Sequence, residues 1–213
     1  MVWIFGDSFS APLCKFYCEW KGYIPKTFGE IISEKYKTNI KNLSIAGSDN
    51  DSIFESIINN TPNIDKDDIV IIGWSSIIRF RLGSSDRNNR FVRVLPNWGN
   101  NWNDIKQTGV SKDTIDEILV NRMGYGYVEE YKNRFKFINW LFKDMMLIQW
   151  SPFKRQHDVI KITCNTIKDE TNGYLNDEHY SELGHQQMSE YFISLINDDK
   201  LRQYNNNVFN KII

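Results

Sequence analysis

Apolar residues run unbroken from Val2 to Phe5 and stop at Gly6-Asp7-Ser8, the pattern of a short buried strand feeding a turn. Phe28, Ile31, Ile32 and Tyr36 then recur at helical spacing and predict a helix over 27–36, and "NIKNLSI" (39–45) reads as a second strand. Ile53, Phe54, Ile57 and Ile58 predict a short helix over 52–59. The clearest strand is "DIVIIGW" (68–74), which is β-branched, uninterrupted and preceded by acidic turn residues. An amphipathic stretch predicts a long helix over 127–149, "DVIKITC" (158–164) a further strand, and a last helix runs from Ser181 to about residue 197.

Strands alternating with helices predict an α/β fold, a three-layer α/β/α sandwich with a mostly parallel central sheet. In such sheets ligands sit beyond the carboxyl ends of the strands. Ser8, Gly47 and Gly73 all follow strands and are expected to converge at that edge. Residues 83–125 break the alternation with Gly, Pro, Asn and aromatic residues and read as an insertion or lid. No repeat or linker interrupts the rest, so one domain is expected over 1–200, followed by a loosely held tail at 201–213.

The bulk numbers narrow the class of protein. The 213 residues, 41% apolar and 25% charged, suit one folded domain that needs no disulfide or metal to hold its core. A net charge of -1 gives no global electrostatic reason to expect nucleic acid or an anionic membrane as partner. Cys14, Cys18 and Cys164 are an odd number without paired CxxC motifs, which argues against a disulfide scaffold or a structural metal; they are expected to be buried small hydrophobes. No basic segment precedes an apolar stretch, and no apolar run approaches the roughly 18 residues that span a bilayer. The expectation is therefore no signal peptide, no transmembrane segment, and a cytoplasmic or virion-associated location.

A serine hydroxyl is a poor nucleophile at neutral pH and needs a base, a group that orients the base, and donors where the oxyanion develops. "GDS" supplies Ser8 at a strand-to-loop turn. "NDEHYSELGH" (176–185) supplies His179, with carboxylates nearby, just before a helix. The order and spacing of these blocks resemble the SGNH, or GDSL-type, family of serine hydrolases, which includes esterases, lipases and carbohydrate deacetylases. The resemblance covers almost the whole chain except 83–125, and it implies a flavodoxin-like sheet.

By that resemblance Ser8 is the nucleophile and lends its N–H to the oxyanion hole, Gly47 in "SIAGSDND" lends a second N–H, His179 is the base, and Asp7 holds the turn. Two blocks depart from the family pattern. Where the family has Gly-x-Asn-Asp, this chain has "GWSS" (73–76), so Ser75 stands in for the oxyanion Asn, with Asn50 as a substitute; a block with Trp and Ser is similar to that of phage-encoded members. Where the family has Asp-x-x-His, Asn176 stands three before His179 and Asp177 two before. Asp177 is taken as the orienter because a carboxylate better stabilises an imidazolium, with Asn176 as runner-up.

The implied activity is hydrolysis of an acyl, foremost acetyl, ester on a carbohydrate or other small polyol, with no cofactor and no metal. A catalytically inactive binding or structural module on the same fold, and an acyltransferase, are the alternatives. His185 is expected to pack or cap locally, His157 to lie in a loop, and Ser181 with Glu182 to cap the last helix. Arg79 and Arg81 read as solvated charges at a strand end. Trp98 and Trp102 are candidates for stacking on sugar rings or for anchoring their own loop.

Overall fold

The structure, a computed structural model, describes residues 1–83, 91–94, 102–122, 125–153 and 159–198. In chain order the strands are β1 (Val2–Gly6), β2 (Ile40–Asn42), β3 (Ile69–Gly73), β4 (Phe80–Gly83), β5 (Phe91–Val94), β6 (Met146–Ser151) and β7 (Ile160–Lys161). The helices are α1 (Lys15–Lys21), α2 (Phe28–Tyr36), α3 (Asn50–Asn60), α4 (Trp102–Ile105), α5 (Lys112–Arg122), α6 (Tyr125–Leu141), α7 (Ile167–Glu170) and α8 (Glu182–Ile196).

Five strands pair in the order β2-β1-β3-β6-β7, every pair parallel. Because side chains alternate across a strand, each of the inner strands feeds two cores. Trp3 and Phe5 of β1, Val70 and Ile72 of β3 and Leu147 of β6 face one side, against Ile53 and Ile57 of α3 and Tyr131, Phe135 and Ile138 of α6. Val2, Ile4, Ile71, Ile148 and Trp150 face the other, against Phe28 and Ile32 of α2 and Met188 and Phe192 of α8. The result is the three-layer α/β/α sandwich. The chain passes from β1 to β2 on one side and from β2 back across to β3 on the other, so the switch point lies at the carboxyl ends of β1 and β3, where Ser8 and Ser75 follow.

Three expectations need correction. The long helix over 127–149 is two elements, because α6 ends at Leu141 and β6 begins at Met146. Its apolar run "MMLIQW" fits either period; what decides is the open edge of β3, which β6 pairs along its whole length, Ile69 with Met146 through Gly73 with Trp150. The strand over 39–45 is named only across Ile40–Asn42, although Leu43 and Ile45 still donate their N–H groups to the carbonyls of Ile4 and Gly6. The strand over 158–164 is, among the described residues, only Ile160–Lys161, and helices α1 and α7, seven and four residues long, carry no clear periodic signal.

The unit read as an insertion from residue 83 begins earlier, at Phe80: β4 pairs antiparallel with β5, and α4 and α5 follow. Phe80, Val94, Ile105 and Ile115 make a separate small cluster there. Trp98, His157 and the tail at 201–213 lie outside the described residues.

The β1–β3 pairing ends at Gly6 opposite Gly73. A Cβ on Gly6 would meet Ser10 Oγ at 2.5 Å, and one on Gly73 would meet it at 2.4 Å and the Trp150 ring at 2.9 Å. Both glycines are therefore needed for the Ser8 turn to fold back over the strand ends. Gly73→Ala should destabilise the protein by about 1–3 kcal/mol in urea denaturation. Adding Ser10→Gly should return part of that loss.

Candidate active site

The turn after β1 is built by Asp7. Its carbonyl accepts from the Ser10 and Ala11 N–H groups, both at 3.0 Å, and its Oδ1 accepts from the Phe9 N–H at 3.1 Å. Ser8 thus stands half-buried at the crest of a turn bonded from both sides. Its Oγ lies 2.7 Å from His179 Nε2, and His179 Nδ1 lies 2.5 Å from Asp177 Oδ1. The rings of Phe9 and His179 pack with centroids 4.8 Å apart.

The two-residue spacing of Asp177 and His179 has a local cause. Asp177 Oδ1 also accepts the backbone N–H of His179 at 2.9 Å, so one oxygen closes the loop and meets the ring. The same bond with the imidazole lowers the Asp177 carboxyl to about 2. Asn176 is exposed. Helix α7 fixes the loop from behind: its first two N–H groups, which lack intrahelical acceptors, donate to the carbonyls of His179 and Asp177, both at 2.8 Å. Helix α1 holds the flank, since the Tyr17 hydroxyl donates to Glu170 and accepts from the Glu182 N–H, while Lys21 pairs with both carboxylates.

Gly47 lies in a left-handed turn (φ 77°) tied to the end of β1 by the Ile45 N–H bonded to the Gly6 carbonyl. The N–H groups of Ser8 and Gly47 make no hydrogen bond among the described residues. The two side chains considered as the third oxyanion donor are engaged elsewhere. Asn50 is fully buried, its amide donating to the Ser75 carbonyl at 2.9 Å and its oxygen accepting the Ser75 N–H at 2.7 Å. The Ser75 hydroxyl accepts from Arg79 Nη1 at 3.1 Å and bonds the Asp7 carboxylate.

No family model matches the chain, and no curated protein matches it. Among solved structures it is similar to a carbohydrate esterase whose active site is described as displaying divergent catalytic and non-catalytic binding functions. The identity is 13%, the match covers 94% of this chain and 69% of that chain, and the TM-score is 0.42.

Other residues singled out in the sequence take ordinary places. Ser181 caps α8 by accepting the Gly184 N–H at 3.1 Å. Arg81 pairs with Glu55, and Trp102 packs on the small cluster, near Lys112. Arg79 is not a solvated charge: it pairs with Asp7 at 2.8 Å, 14% and 1% exposed. The cysteines are free but only partly buried, and the Cys14 thiol lies 3.4 Å from Asp177 Oδ2. Among the described residues no cluster of His, Cys, Asp and Glu is placed to hold a metal ion, and no helix is long and apolar enough to cross a membrane.

His185 is buried, its Nδ1 accepting the Phe28 N–H that opens α2. Burial, helped by the nearby His179, lowers it to about 4. An unfolded chain takes up that proton near pH 6.5, so the stability linked to a neutral His185 is present above about pH 6.5 and lost as pH falls toward 4. Between pH 7 and pH 4 this group should cost on the order of 3 kcal/mol. Urea titrations of His185→Gln should show a correspondingly shallower pH dependence.

Proposed function

We propose that the protein is a serine ester hydrolase of the SGNH type, removing an acetyl or other small acyl group from a carbohydrate or similar polyol. The observation that best supports this reading is the unbroken hydrogen-bonded chain from Asp177 through His179 to Ser8. Ser8 Oγ attacks the ester carbonyl carbon as His179 Nε2 takes its proton, and the Asp177 carboxylate stabilises the resulting imidazolium. The oxyanion is held by the Ser8 and Gly47 N–H groups. Collapse expels the alcohol, protonated by His179, and leaves Ser8 acylated. Water, deprotonated by His179, then releases the acid.

With Asn50 and Ser75 bonded to other partners, the oxyanion rests on two backbone donors. That is the observation favouring a second reading, a binding module that keeps the fold and lacks turnover. The carbohydrate as substrate follows from the resemblance of the Ser8 and His179 blocks to family members acting on sugars.

Acetate release from acetylated glycans and from a simple aryl acetate tests the proposal. Ser8→Ala should abolish it, Asp177→Asn should lower kcat by about 10³–10⁴-fold, and Asn176→Ala should leave it near the wild-type level. Unchanged turnover in Ser8→Ala contradicts the reading. Glycan binding without turnover favours the module, and acylated acceptor formed on adding an alcohol identifies a transferase.

A further inference from the structure

We propose that Arg79 is a positioning residue for Ser8: its guanidinium clamps Asp7 and Ser75 together and so ties the chain after β3 to the turn that carries the nucleophile. The inference rests on the ester-hydrolase reading of Ser8. Arg79 Nη1 donates both to Asp7 Oδ2 at 2.8 Å and to Ser75 Oγ at 3.1 Å, and the Arg79 N–H is itself fixed to the Ser76 carbonyl. The partner carboxylate is the group whose other oxygen holds the Phe9 N–H, one residue beyond Ser8. Movement of Asp7 is therefore passed to both sides of the nucleophile.

The pair also has an electrostatic reason to persist. Burial pushes the Asp7 carboxyl above its ordinary value, and the Arg79 charge is the largest influence opposing it. A buried carboxylate without its cation would gain a proton or draw in water, and either change loosens the bond to Phe9. The guanidinium lies 6.0 Å from the Phe153 ring, which packs edge-on against Phe9, the ring beside His179. Arg79 thus bears on the same turn twice, through its charge pair with Asp7 and through the Phe153 ring that packs on Phe9. A lysine would keep the charge but not the planar group that fixes the direction of both N–H bonds from Nη1.

The test compares wild type, Arg79→Lys, Arg79→Met and the double variant Asp7→Asn/Arg79→Met. Aryl acetate kinetics, thermal melting and the Phe9 amide in a proton–nitrogen correlation spectrum are the readouts. Arg79→Met should lower kcat by about 10²-fold with KM little changed and should move the Phe9 amide. Arg79→Lys should recover part of the loss. The double variant, free of an unpaired buried charge, should melt near wild type and still turn over slowly. Wild-type kcat in Arg79→Met, or full recovery in the double variant, overturns the positioning role. If wild type itself does not hydrolyse the ester, the functional reading fails separately, and a Phe9 amide unmoved in Arg79→Met overturns the clamp without reference to turnover.

Discussion

At the switch point of the sheet, two parallel strands end side by side on glycines because nothing larger fits. Gly6 and Gly73 face each other across the β1–β3 ladder, and the Ser10 side chain occupies the space that their Cβ atoms would take. This close approach lets the chain after β1 turn sharply over the strand end and present Ser8. It also brings Asp7 within reach of Ser75 and Arg79 from the other side of the switch point. The two cores, on opposite faces of the sheet, fix the strands that this junction requires.

The second half of the site is held by a chain of hydrogen bonds and ion pairs around one short loop. Asp177 is held by its own loop, the loop by α7, and α7 by the buried Tyr17 hydroxyl and the paired charges of Lys21, Glu170 and Glu182. Charge is handled differently at the two acids beside the site. Asp177 is lowered to about 2 by a direct bond to His179, whereas burial raises Asp7 against the pull of Arg79. One carboxylate is thus free to answer the imidazole, and the other is committed to structure.

The strands of the sheet were legible where the hydrophobic pattern was unambiguous, as in "VWIFG" and "IVIIG", and the helices α2, α3 and α8 where the spacing was regular. Residues 141–151 were not, because Met and Leu suit both periods and only the vacant edge of β3 assigns them to a strand. Ser8, Asp177 and His179 could be named from their blocks, and the structure brings them together. Arg79 could not: its partner lies 72 residues away, and an arginine after a strand looks solvated until the fold buries it. The competing roles of Asn50, spent on the Ser75 backbone, and of the Ser75 hydroxyl, held by Arg79 and Asp7, were equally hidden, since an engaged polar side chain reads in sequence like one that is available.

The central claim is that this environment activates Ser8. Labelling of the folded protein with a fluorophosphonate, mapped by mass spectrometry, tests it directly, because such reagents modify a serine whose hydroxyl is activated by a base. The account predicts modification at Ser8 alone, lost when His179 is replaced by Ala. A folded protein that does not react, or reacts equally well without His179, would contradict it.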